Sequence, residues 1–290
     1  MSKTLTACPH PILGCLKAAE VFLGPDRKWS FSNPSDKQRL FLASCIHAMK
    51  DVDLIPELEK IASLSHEEIN SWLAEHDFQI ALQPFGADTF GVASILDVLV
   101  DWFRPGEEHT MHTDSGIYTG AKLKSGFRLC NLPGHENKVV ELQTKTGEKV
   151  YLMMGDAPES ELVMMKQVQE WTGQLVTSQD HASELVFPAV KLDREEDISW
   201  LIKMRTASAN GDPYYISEAV QQTKFRLDHL GAHVRSAAAM AMRCLGFSTI
   251  YTINQPFYCW MMRDGLELPL FSAYLDRDVW TPQVETERQY

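Results

Sequence analysis

The sequence predicts an α+β fold with large antiparallel sheets, carried by one domain over residues 1–290. Three observations predict it. Before Pro84, apolar residues recur at helical spacing. After Pro84, runs of branched and aromatic residues separated by turn residues take over. No internal repeat, low-complexity tract or linker divides the chain. Its 44% apolar and 23% charged residues are those of a globular protein with room for a sizeable core.

Each element follows from a local pattern. Ile12, Leu16, Ala19 and Leu23 share a helical face, and Gly24-Pro25 ends that run. Trp29-Ser30-Phe31 reads as a short strand. Asn33-Pro34-Ser35 opens a second helix carrying Leu40, Phe41, Ala43, Ile46, His47 and Met49. Ser65 with Glu68 fits a capping box and opens a third, with Ile69, Trp72, Leu73 and Phe78 on its apolar stripe. Phe90 to Phe103 predicts one long buried strand. Strands follow over 117–131, 137–144 and 148–154, the last two joined through Lys145-Thr146-Gly147 as a hairpin. A helix covers 160–175, a strand 185–192 and a short helix 197–204. In 214–228, Thr223, Phe225 and Leu227 alternate with Lys224, Arg226 and Asp228, a strand period of two. Strands 256–263 and 268–275 meet at the turn Arg263-Asp264-Gly265.

Charge and motifs exclude several functions. The 27 basic and 39 acidic residues give a net charge of −12. Such a chain has no general attraction to nucleic acid or an anionic membrane, although a local basic patch can survive within it. No apolar run approaches a membrane span, and residues 1–15 lack the continuous apolar stretch of a leader. The six cysteines, Cys8, Cys15, Cys45, Cys130, Cys244 and Cys259, form no CxxC or zinc pattern, and there is no glycosylation sequon. The expected location is the cytoplasm with thiols reduced, or outside the cell if a leader precedes this sequence. Glu108, His109, His112 and Asp114 have the residue types of metal ligands, but after Pro105-Gly106 they read as a polar surface loop. Neither metal nor cofactor is expected. HExxH, GxSxG and phosphate-loop motifs are absent, and Asp180-His181 near Ser183 is an adjacency, not a triad. Nothing here indicates an enzyme.

The unusual segment begins at Gly231. Ala232, Val234, Ser236, Ala238, Met240 and Met242 fall on one face at period two, all small or apolar. His233, Arg235, Ala237, Ala239 and Ala241 fall on the other. An alanine-rich stretch prefers helix to strand, so an ordinary helix is the other reading. Two competing local preferences suit a segment that changes state.

In order, motifs over most of the chain resemble the serpin family. They are Ile69-Asn70-Ser71-Trp72-Leu73; Ala93 through Trp102-Phe103-Arg104-Pro105; Val139-Val140-Glu141-Leu142 with Tyr151-Leu152-Met153 and Asp156; and Phe187-Pro188-Ala189-Val190-Lys191-Leu192. Tyr215-Ile216-Ser217-Glu218-Ala219-Val220, Gln255-Pro256-Phe257-Tyr258 and Pro269-Leu270-Phe271 complete the series. The resemblance implies a suicide inhibitor of proteases, with an exposed reactive-centre loop at 231–256 that inserts into the main sheet once cut. It implies a hinge at Gly231, Ala232, Val234 and Ser236, and a scissile bond at Leu245-Gly246, with Met242 or Arg243 as alternative specificity residues. Leu245 suits a chymotrypsin-like or cathepsin-like protease and Arg243 a trypsin-like one. Ser94, Trp102 and Gln221 fall at the gate under the sheet.

The departures are as specific. His229 and Leu230 stand where the family carries acidic residues before the hinge, and Val234, Arg235 and Ser236 where it carries alanines. Ser94 and Gln221 stand where it pairs asparagine with histidine. Phe31-Ser32-Asn33-Pro34 resembles the family's Phe-Ser-Pro helix start and leaves room for about one helix before Ser65. The resemblance therefore implies a trimmed member lacking some helices and edge strands, with no heparin expected, similar to virus-encoded members aimed at host proteases. The departures leave a second reading open: a non-inhibitory serpin-fold binding module.

Overall fold

The computed structural model describes residues 3–86, 88–232 and 249–283. Its α-helices are α1 (Pro9–Ala18), α2 (Glu20–Leu23), α3 (Asp36–Ser44), α4 (His66–Glu75) and α5 (Glu161–Gln174). Its strands begin with β1 (Leu5–Ala7), β2 (Leu58–Ser63), β3 (Gly91–Leu96), β4 (Val100–Asp101), β5 (Glu107–Thr113) and β6 (Gly116–Leu123). They continue with β7 (Phe127–Asn131), β8 (Val139–Gln143), β9 (Lys149–Met154), β10 (Val176–Thr177), β11 (Glu184–Pro188) and β12 (Val190–Glu196). The last are β13 (Arg205–Ala207), β14 (Pro213–Tyr215), β15 (Gln221–Leu227), β16 (Gly231–Ala232), β17 (Ile250–Thr252), β18 (Phe257–Met262) and β19 (Phe271–Leu275).

A seven-stranded antiparallel sheet forms the centre, in the order β1-β19-β18-β9-β8-β7-β10. Four consecutive residues of β8, Val139 to Leu142, are buried, and all five of β19 are. Unbroken burial means that both faces of the sheet are covered. Met165 and Val168 of α5 belong to the same core as Trp260, and Trp171 meets Tyr258 edge-on. Trp102, Phe187 and Trp280 complete that core. A four-stranded sheet, β17-β11-β6-β5, and the pairs β12–β15, β2–β3, β13–β14 and β16–β4 make up the rest.

Helix starts show which local signals held. Pro9 occupies the first turn of α1, where its missing N–H costs nothing. The complete capping box is at Ser35 and Gln38, opening α3. At Ser65 only half of the expected box forms. Its hydroxyl accepts from the Glu68 amide, but the Glu68 carboxylate turns to the Ser63 hydroxyl at the end of β2.

Several expectations are corrected. The single strand over 90–103 is two, β3 and β4, broken at 97–99. The strand over 214–228 is β14 and β15, and the alternating pattern belongs to β15. The second helix stops at Ser44 and continues as a 3-10 helix over Ile46–Leu54. Trp29-Ser30-Phe31 contributes a single bridge, Ser30 to Arg205. An edge strand left out of the sequence reading, β2, fills the stretch before Ser65 and pairs along β3. The segment carrying Glu108, His109 and His112 is strand β5, not a loop.

His10, in the first turn of α1, is fully buried, and neither ring nitrogen makes a hydrogen bond of good geometry. Burial is the main cause that lowers its pKa from 6.5 to about 4, against the pull of the Leu268 carbonyl and Asp51. The folded state therefore holds His10 neutral where the unfolded chain takes a proton. Its contribution to stability is present above pH 6.5 and is lost as pH falls towards 4. That loss should reach about 3 kcal/mol, read as a fall in urea midpoint between the two pH values. His10→Leu should flatten that dependence.

Candidate functional site: a cleft between two open strand edges

The site is the space between β3 and β15. Each has a partner on its far side, β2 and β12. Among the described residues no ladder joins β3 to β15. Between them lies a cleft of about 1640 Å³. An unpaired edge presents a row of amide and carbonyl groups and is a template for another strand. Here two such edges border one cleft.

Helix α1 makes the floor, with Ile12, Cys15, Leu16 and Ala19 lining the cleft. It comes so close to β3 that a Cβ on Gly14 would lie 2.2 Å from the Ser94 hydroxyl oxygen. The strand period sorts β3 into two faces. Ser94 faces α1, whereas Ala93 and Ile95 join Ile69 and Leu73 of α4 in a separate small core. On that outer side the chain after α4 runs over to β15. Gln79 donates its amide to the Gln222 side chain at 2.7 Å, and Gln83 donates to Glu218 at 3.0 Å. Lys224 donates to the Asp77 carbonyl and lies 5.4 Å from the centre of the Phe78 ring. The Asn70 side chain holds the Leu82 amide and carbonyl, tying this strap to α4.

The cleft closes at one end. The Trp102 amide donates to the Leu230 carbonyl at 3.3 Å, and Gly106 donates to the His229 carbonyl at 2.6 Å. The buried Trp102 indole N–H reaches the Asp228 carbonyl at 2.8 Å. The chain leaving β15 turns back there: Asp228 donates to the Gly231 carbonyl, and β16 pairs antiparallel with β4, Gly231 opposite Asp101 and Ala232 opposite Val100. Gly231 has φ +147°, and a Cβ on it would lie 2.3 Å from the Val100 carbonyl oxygen. Only glycine fits that turn.

The expected residues are thus partly gathered. Ser94, Trp102, Gln221, Gly231 and Ala232 all border the cleft or its closed end. Ser94 and Gln221 do not bond to each other. The Ser94 hydroxyl donates to the Glu59 carbonyl at 2.9 Å, and the Gln221 side chain donates to the Cys8 carbonyl at 3.0 Å. The helix under the gate is α1, which begins at Cys8-Pro9 directly after β1. Phe31-Ser32-Asn33-Pro34 does precede a helix, α3, which packs on α5 and not under the cleft. Val234, Ser236, Met242, Arg243, Cys244, Leu245 and Gly246 lie outside the described residues. His109 and His112 are three apart on β5 and point to opposite sides, so they cannot share a metal. No metal-binding group of His, Cys, Asp and Glu occurs among the described residues. Burial pushes the Cys8 and Cys15 thiols up to about 12, which keeps them protonated at the cleft floor. The role of α1 as the cleft floor, the strap and the Cys8 carbonyl were absent from the sequence reading. The apolar face of α1 was visible there, but not the surface it covers.

No family model and no curated protein matches the chain. Solved structures do. Human thyroxine-binding globulin complexed with thyroxine superposes with a TM-score of 0.51 at 11% identity, over 91% of this chain and 98% of that one. Serpin48, described as a highly specific serpin in the insect Tenebrio molitor, gives 0.51 at 11% identity, over 92% and 96%. The fold is the serpin fold.

Gly231→Ala should strain the turn and press a methyl group against β4. We expect a loss of about 1–3 kcal/mol, measured as a lower urea midpoint.

Proposed function

We propose that this protein is a protease inhibitor that acts as a suicide substrate, trapping its target by inserting the cut segment into the cleft between β3 and β15. The observation that carries this reading is β16. It pairs antiparallel with β4 at the closed end of the cleft, directly after the turn that leaves β15.

In the proposed inserted state, extending the β16–β4 register would lay Val234 opposite Val98, Ser236 opposite Leu96, Ala238 opposite Ser94 and Met240 opposite Val92. Residues opposite each other share a sheet face, so the small and apolar side of the segment would lie on the α1 floor. Arg235 on the other side would fall opposite Asp97, which is exposed. An inserted strand would satisfy the open edges of β3 and β15 together and bury apolar surface, both favouring insertion. The scissile bond in this reading is Leu245-Gly246, with Met242 or Arg243 as the alternatives. The target is chymotrypsin-like or cathepsin-like for Leu245 and trypsin-like for Arg243.

Incubation with a chymotrypsin-like and a trypsin-like protease should give a higher-mass band that survives denaturation. The mass of the released peptide then names the bond. A clean cut between Met240 and Ser248 with no such band would overturn inhibition in favour of the binding-module reading. Val234→Glu would bury an unpaired charge at a cost of several kcal/mol on insertion. It should abolish the complex while the loop is still cut at an unchanged rate.

A further inference from the structure

A second surface borders the far end of the cleft, where Trp29, Tyr214 and Tyr215 are among the lining residues. The segment before α3 joins the β13–β14 hairpin through two bonds, Ser30 amide to Arg205 carbonyl at 2.9 Å and the reverse at 2.8 Å. The result is a three-stranded ribbon with two unlike faces. Met204 and Thr206 are buried and Trp29 is partly buried, and they face the core. Lys28, Ser30, Arg205 and Tyr215 are exposed on the other side, with Lys203 exposed at the start of β13. Tyr215 lies directly opposite Arg205 and is 69% exposed. Arg27 is pinned at the ribbon's edge, its guanidinium donating to the Pro25 carbonyl at 2.6 and 2.8 Å and to the Ala207 carbonyl at 3.2 Å.

The charge here runs against the rest of the molecule. Most described cations have a carboxylate partner, from Lys17 with Glu20 to Arg263 with Glu57 and Glu148. Among the described residues no carboxylate pairs with Arg27, Lys28, Lys203 or Arg205. The acidic residues near in sequence are Asp26, Asp197, Asp212 and Glu218; Asp197 accepts from the Ser199 hydroxyl, Asp212 from the Ser208 hydroxyl and Glu218 from the Gln83 amide. An acidic chain of net charge −12 therefore keeps a flat basic face with one bare aromatic ring on it.

We propose that this ribbon face binds a short single strand of nucleic acid without sequence preference. The phosphates would lie on Arg27, Lys28, Lys203 and Arg205, and one base would stack on Tyr215. Phosphate contacts supply salt-sensitive, sequence-independent affinity, and an exposed ring on a flat basic sheet supplies a stacking platform. The ring is what favours a base over a sulfated sugar chain, which would need only the cations. The negative charge of the rest of the molecule confines the contact to a short segment.

The test is fluorescence anisotropy of the full chain with a labelled oligothymidylate of about 12 nucleotides across a salt series. Binding should be clear at low salt and fall with a log–log slope of about −2 to −3. Lys203→Ala and Arg205→Ala should each make that slope shallower by about 0.7. Tyr215→Ser should weaken binding about tenfold with the slope unchanged, and Tyr215→Phe should restore it. All these side chains are exposed, and a thermal melt confirms that the variants fold. Absence of binding at low salt overturns the proposal. So does equal affinity for a sulfated glycan fragment of the same charge with Tyr215→Ser silent, which would make the face a sulfate reader.

Discussion

Two strand edges that face one another without pairing are the constraint around which this molecule is organised. Backbone amides and carbonyls are strong hydrogen-bonding groups, and water in the cleft must serve those that no ladder satisfies. The arrangement persists because each edge is anchored elsewhere. β3 is held by β2 and by the small core under α4. β15 is held along its length by β12, and its Phe225 stacks on Phe271 of the central sheet at 4.4 Å. The halves meet through Trp102, Leu230 and Gly231 at one end. The result is a wedge closed at one end, with both bordering strands anchored on their far sides.

Helix α1 is what makes the two halves one mechanical unit. Gly14 lets it press on β3 beneath Ser94, while the Cys8 carbonyl receives Gln221 from the other half. Its preceding strand, β1, is an edge strand of the seven-stranded sheet, opposite β19. The family resemblance implies a side-chain pair across the gate. Here each wall instead bonds to a backbone carbonyl, Ser94 to Glu59 and Gln221 to Cys8. The two walls are not bonded to each other at the gate; the Gln221 wall is bonded to the start of α1.

The strap from α4 to β15 covers the outer side of the same cleft. Its bonds come from Glu218, Gln222 and Lys224, which lie on one side of the chain entering and forming β15. An inserted strand would pass between this strap and α1, with its apolar side inward and its charged side outward.

Much of this was legible in the sequence, and the limits have a physical pattern. The period of two in Thr223, Phe225 and Leu227, the hairpin at Lys145-Thr146-Gly147 and the glycine after β15 determined a strand and two turns locally, because each depends on neighbours a few residues apart. The ordered motifs pointed to the fold itself. Tertiary contacts decided the rest. Ser65 and Glu68 have the spacing of a capping box, yet the end of β2 offers Ser63 and takes the Glu68 carboxylate. Ile12, Leu16 and Ala19 show a helical apolar face, but only the packing of α1 on β3 shows which surface it covers. His109 and His112 look like a pair until β5 turns them to opposite faces. The open cleft depends on which distant strands pair and which do not, so no local pattern of residues could display it.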